Sequence, residues 1–234
     1  MITVEELAKK ILNNEDISNI DYSHLTDMSY MFKNQKTLIK MPFIDTKHVI
    51  SMRGMFLGCT NLLSVAHLYT PEVKTFASMF KDCTSLTYIP PLDTSNATNI
   101  TSMFENCISI KWTPPLIINS YTNCNSLFKN CISLTHTPKF FPPTSQFSIN
   151  MFFGCTSLNM DFTHWNFVDT NPFEMFDSID NTIKHITLPI IKYTYLSHTH
   201  TNTFQTKSIN SMDTKIFSTF IKNTNYYKNR HASF

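Results

Sequence analysis

The chain has 234 residues, of which 42% are hydrophobic and 15% charged, and its formal net charge is +2. That balance excludes a chain disordered by composition and supplies a core for one continuous, elongated domain. With 3 glycines there is no glycine-rich phosphate loop, and the 6 cysteines include no CxxC pair of the kind that holds zinc.

The first expected element is a helix over 3–14, "TVEELAKKILNN". Thr3 with Glu6 has the form of a capping box, and Val4, Leu7, Ala8, Ile11 and Leu12 fall at helical spacing. Leu7 also lies 24 residues before Met31, and Ile17, Ile20, Leu25 and Met28 continue the apolar columns described next. Residues 1–26 are therefore read as a helical N-terminal cap with a partial repeat, since a terminal coil has one face to cover.

From 27 to 183 one phrase recurs. Its opening pair, Met-Phe or once Leu-Phe, starts at Met31, Met55, Met79, Met103, Leu127, Met151 and Met175, always 24 residues apart. The fourth residue on is Cys59, Cys83, Cys107, Cys131 or Cys155 in five of the units, and the seventh is apolar from Leu38 to Leu158. A fixed period of this length means stacked units that bury their apolar faces on one another. Within a unit, Met79, Phe80, Cys83 and Leu86 have helical spacing and predict a short helical turn. Two short strands follow, one ending at Pro90-Pro91 and one carrying Ala97 and Ile100, with "DTSN" at 93–96 as the turn between them. The expected fold is an α/β repeat solenoid of seven coils with narrow parallel sheets.

The stretch "MFKDCTSLTYIPPLDTSNATNITSMFENC" resembles the BspA-like leucine-rich repeat, in the form found in mycoplasma-type surface proteins. The resemblance spans roughly residues 27–183 and implies leucine-rich-repeat-like coils in a surface or secreted protein of a bacterium, protist, virus or phage. It also implies partner binding and no catalysis. Thr113 and Thr137 depart from the repeat by replacing an apolar residue, and "FFPPTSQFS" at 140–148 replaces the Asp-Thr turn.

Residues 184–234 read as a C-terminal cap and basic tail. "HITLPIIKYTYLSHTHTNTF" from 185 predicts one or two strands, and "SMDTKIFSTFIKN" from 211 an amphipathic helix. Seven Lys and Arg face Asp213 alone, a balance of +6, against −4 for residues 1–183. Lys222, Tyr226, Tyr227, Lys228 and Arg230 mix cations with aromatics in the manner of nucleic-acid contacts.

Chemistry-bearing residues are few. The cysteine column is read as small buried hydrophobes that stay reduced, because one residue type at one repeat position is packing rather than thiol chemistry. His198 and His200 have no acidic or thiol partner nearby in sequence, and Asp45, Asp93 and Asp169 fall at turns. No catalytic residue, metal or cofactor is expected, and the chain is read as no enzyme. A better candidate is the ninth residue after each opening Met or Leu, which varies while its neighbours stay apolar. It would set Tyr88, Trp112, His136 and Met160 in an exposed stripe suited to a protein partner, unless Trp112 folds onto Pro114-Pro115 of its own coil. The expected function is non-enzymatic binding of a macromolecule, first of all a protein, in a virus-, phage- or bacterium-host setting. Self-association as a structural component is the first alternative, and nucleic-acid binding through the tail is the second. A monomer or weak homo-oligomer without a membrane span is expected. The absence of a signal-like apolar run near Glu5 and Glu6 points to the cytoplasm, or to a particle or surface location reached by non-classical release.

Overall fold

Helix α1, Val4–Leu12, forms in the computed structural model as its capping box dictates: Thr3 Oγ1 accepts the Glu6 amide at 3.1 Å and Glu6 Oε2 accepts the Thr3 amide at 2.9 Å. It stops because Asn14 turns left-handed, φ 55°, so that the amides of Asn14 and Glu15 reach back to the carbonyls of Ile11 and Lys10. Leu7, Ala8 and Ile11 are buried.

The structure describes residues 1–137 and 147–161, together with Met175 and the segments 186–187, 193–195 and 205–207. By compactness the chain divides into two units, Met1–Met160 with Asn166–Ile183, and Asp161–Trp165 with Lys184–Phe234. The strands are β1 (Lys40–Met41), β2 (Ser64–Val65), β3 (Met160–Asp161), β4 (Ile186–Thr187), β5 (Tyr193–Tyr195) and β6 (Gln205–Lys207). In the second unit β5 pairs antiparallel with β6, Tyr193 opposite Lys207. The helix expected from 211 lies outside the described residues.

In the first unit every second amide around the Met-Phe pair bonds to the next 24-residue coil. Met28, Tyr30, Phe32 and Asn34 donate to the carbonyls of Ser51, Arg53, Met55 and Leu57, each 23 residues ahead, and Phe76, Ser78, Phe80 and Asp82 do the same one coil pair later. The amides between them close turns within the coil, such as Met79 to Phe76 and Cys83 to Phe80. This corrects the helical turn expected over Met79–Leu86. An α-helix would direct each N–H to the fourth preceding carbonyl, whereas here half of these donors are committed to a neighbouring coil. The apolar spacing is that of two consecutive turns, each with a left-handed third residue.

Those third residues form two columns of sequence, the second of which holds only Asn, Asp and Gly. Tyr30, Gly54, Ser78, Ser102, Ser126 and Asn150 hold the first turn, and Asn34, Gly58, Asp82, Asn106, Asn130 and Gly154 the second, all with φ between 54° and 74°. Glycine, asparagine and aspartate tolerate that region best. At Gly58 a side chain would also run into Asn34, and at Gly154 into Asn130. Where the column holds no glycine, its side chains tie the coils together: Asn106 Nδ2 donates to Asp82 Oδ1 at 2.6 Å and Asn130 Nδ2 to Asn106 Oδ1 at 2.9 Å.

The core is built of parallel columns. Phe32, Phe56, Phe80, Phe104, Phe128 and Phe152 stack in sequence with ring centroids 5.4 to 5.7 Å apart and planes within 13° of parallel. All six rings are fully buried, and each buried ring contributes about 1.5–3 kcal/mol relative to exposure. Beside them lie the buried Met31 to Met151 column and the Leu38 to Leu158 column. Each column cysteine donates its thiol to the carbonyl of the phenylalanine one coil back, Cys83 to Phe56 and Cys107 to Phe80 at 3.0 Å. Cys124 lies elsewhere, aligned with Met28, Met52, Phe76 and Ile100. Buried threonines replace part of the backbone ladder on another side: Thr70 Oγ1 donates to the Asp93 carbonyl at 3.0 Å and accepts the Asp93 amide at 2.9 Å. Thr94 treats Ile117 in the same way.

Candidate interaction face

Two columns of parallel backbone bridges run along the first unit. One joins Asp27, Ser51, Thr75, Asn99 and Asn123, the residues just before each turn pair. The other is the column of the expected stripe: Lys40 pairs with Ser64 through β1 and β2, Ser64 with Tyr88, and Trp112 with His136. Alternation along each extended arm turns Met41, Val65 and Ile89 inward and their preceding residues outward.

Tyr88 is 48% exposed and Trp112 51%. Their rings meet edge to face, centroids 6.2 Å apart at 72°, a geometry in which the positive edge of one ring meets the negative face of the other. His136 is exposed, with Nδ1 2.9 Å from Thr135 Oγ1. The backbone places Met160 in β3, and its side chain lies outside the described residues. Ile39 and Leu63, on the residue just before the stripe in the first two coils, are also exposed, at 53% and 41%. Sequence reasoning passed over them because it followed a single column. Lys222, Tyr226, Tyr227, Lys228 and Arg230, like His198 and His200, lie outside the described residues.

Apart from this face, a cleft of about 450 Å³ is lined by Asp16, Asp21, Asp45 and His48 together with Ile17 and Phe43. Its carboxylates are committed to their own turns. Asp16 accepts the Ser18 amide at 2.9 Å, Asp21 accepts the Ser23 amide and hydroxyl at 3.0 and 2.7 Å, and Asp45 accepts the Lys47 amide at 3.1 Å. Those bonds hold all three below the ordinary aspartate value. Among the described residues no set of three His, Cys, Asp or Glu is arranged to hold a metal ion, and no helix is long and apolar enough to cross a membrane.

All six cysteines are buried and unpaired with one another. Burial pushes the Cys59 thiol up to about 11 and that of Cys107 well above its ordinary value, so thiolate, the reactive form, is suppressed.

Residues 3–116 match the model of a family described as "Mycoplasma protein of unknown function, DUF285". The matched segment takes in α1, the coils that open at Met31, Met55 and Met79, and the first part of the coil that opens at Met103, including Tyr88 and Trp112. The 24-residue rhythm continues beyond it to Met175. No curated protein and no solved structure matches the chain.

Proposed function

We propose that the chain is a leucine-rich-repeat-like solenoid of the BspA-like kind that binds a protein partner through the Tyr88, Trp112, His136 and Met160 face and performs no catalysis. The observation that supports this is the Tyr88 and Trp112 pair: two large rings, half exposed, in edge-to-face contact, each on a backbone position bridged in parallel to its other neighbouring coil, Tyr88 to Ser64 and Trp112 to His136. Rigid aromatic anchors of this kind lose little conformational freedom on binding and commonly dominate interface energies. A bacterium-host or virus-host contact is the setting we assign.

The test is affinity capture from a host lysate, followed by titration of the captured partner with Tyr88→Ala and Trp112→Ala. Each change should weaken binding by more than about 2 kcal/mol and leave the circular dichroism spectrum unaltered. Binding that survives both changes, but is lost on charge reversal of Lys222, Lys228 and Arg230, would move the site to the basic tail. A second reading, self-association, draws on the continuation of exposed apolar surface to Ile39 and Leu63. Light scattering separates the two: a binder stays monomeric as concentration rises, and an assembly component grows.

A further inference from the structure

We infer that the partner presents an acidic segment spaced with apolar residues, and that the arm of the first five coils, which lacks carboxylates, selects it. The inference rests on the aromatic stripe being the binding face. In the five coils that open at Met31 to Leu127 the stripe belongs to an arm that runs over 36–44, 60–68, 84–92, 108–116 and 132–137, while in the sixth the equivalent arm carries Asp161 directly after Met160. Asp and Glu are absent from all five stretches, which carry Lys36, Lys40, Lys111, His67 and His136. The carboxylates of the same coils, Asp27, Asp45, Glu72, Asp82, Asp93 and Glu105, all fall on the turns or on the other arm.

Stacking at a fixed period converts that sequence rule into a surface rule, because equivalent residues of successive coils lie side by side. Ile39, Lys40, Leu63, Tyr88, Lys111 and Trp112 are exposed on one strip of backbone. Between Lys36 and Thr137 a carboxylate laid along this strip meets lysines and no like charge, and like-charge juxtaposition is what most strongly rejects a wrong partner. The apolar spacing residues would cover Ile39, Leu63 and the aromatic pair, whose exposure a polyanion alone would leave unused. Nucleic acid fits less well: three lysines spread over four coils can neutralise few phosphates, and that neutralisation supplies most of nucleic-acid affinity.

The experiment is fluorescence anisotropy of the full chain with labelled peptides of equal length built from Glu-Glu-Leu, Ser-Ser-Leu or Lys-Lys-Leu, alongside a labelled oligothymidylate. The glutamate peptide should bind about tenfold or more tighter than the serine peptide, as steering by complementary charge requires, and should weaken as salt rises. The lysine peptide should not bind. Lys40→Glu with Lys111→Glu should lower the glutamate-peptide affinity by about tenfold, with Lys40→Gln and Lys111→Gln intermediate and the circular dichroism unchanged. Equal binding of glutamate and serine peptides, no binding of any peptide, indifference to the lysine changes, or tighter binding of oligothymidylate would each overturn the inference. The two proposals fail separately. A captured partner lost on Trp112→Ala but indifferent to the lysine reversals removes the acidic segment and leaves the stripe, whereas indifference to Tyr88→Ala and Trp112→Ala removes the stripe itself.

Discussion

Single hydroxyls and thiols decide more here than their size suggests, because each bridges two coils. Cys107 fills an apolar column and also donates to the Phe80 carbonyl. A serine there keeps a donor while losing apolar bulk, whereas alanine keeps neither bond nor volume, so the choice tests which role dominates. Cys107→Ser should melt within a few degrees of the parent and Cys107→Ala lower, by about 1 kcal/mol, the usual net worth of one such bond. Iodoacetamide at neutral pH should leave the folded column unmodified, since burial holds these thiols protonated. Threonine supplies the opposite contrast. Thr113 is 3% exposed and its hydroxyl has no partner among the described residues, while Thr94 is fully buried with both lone pair and proton used by Ile117. Thr113→Val should therefore stabilise by about 1 kcal/mol, and Thr94→Val should cost about 1 kcal/mol by removing both of its bonds to Ile117. Thermal unfolding of the pair decides it, and a stabilising Thr94→Val would show that the threonine column is packing alone.

At the scale of the coil, the turn pair is what the repeat encodes. The sequence reading took Met79, Phe80, Cys83 and Leu86 for a helical face because burial at those spacings suits a helix, and it correctly found which residues point inward. The signal it overlooked stands beside them: the column of Asn34, Gly58, Asp82, Asn106, Asn130 and Gly154, made only of residues that spoil a helix but suit left-handed turns. Asn106→Ala should thus cost roughly 1–2 kcal/mol for its φ alone and lose the links to Asp82 and Asn130 besides. Asn106→Gly should recover the first part only, so its melting point falls between parent and alanine. A charged column beside it adds a pH dependence. Glu105 lies between Lys81 at 2.9 Å and Lys129 at 3.8 Å in the flanking coils. Burial raises its carboxyl, but the bonds from Lys81 and Ser102 and the two lysine charges outweigh that and leave it below its ordinary 4.5. A depressed carboxyl contributes stability above the unfolded value and loses it as pH falls through the folded one. The parent should therefore lose stability below about pH 4.5 more steeply than Glu105→Gln, as urea midpoints across that range would record.

For the first unit as a whole, a fixed period makes stability a sum of coils and the contacts between neighbours. That much was legible without coordinates, because a 24-residue column of Met, Phe, Cys or Leu has no reason to persist unless it is inside. The exposure of Tyr88, Trp112 and His136 was legible too, from a column that varies, but the edge-to-face meeting of Tyr88 with Trp112 and the exposure of Ile39 and Leu63 depend on backbone directions that a column cannot state. Cysteine bonding was hidden for a similar reason: its acceptor lies 27 residues back, at no spacing a local motif would suggest. Stacking has a consequence for how damage spreads. Leu86 is fully buried in a coil bonded to one neighbour through Phe56 and Met79 and to the other through Phe80 and Met103. Leu86→Ala should cost about 2–5 kcal/mol as a core truncation, and its effect should not stay in one coil. Amide exchange at Phe56, whose acceptor is in the mutated coil, and at Phe80, itself in that coil, should quicken together, while Phe104, bonded to the coil beyond, and the α1 amides change less. The reason is that opening one coil removes the acceptors its predecessor needs, so protection is shared by the pair and fades with distance along the stack. Faster exchange confined to the mutated coil would show instead that each 24-residue unit holds itself together, and the side-by-side alignment on which the proposed binding face depends would then need another cause.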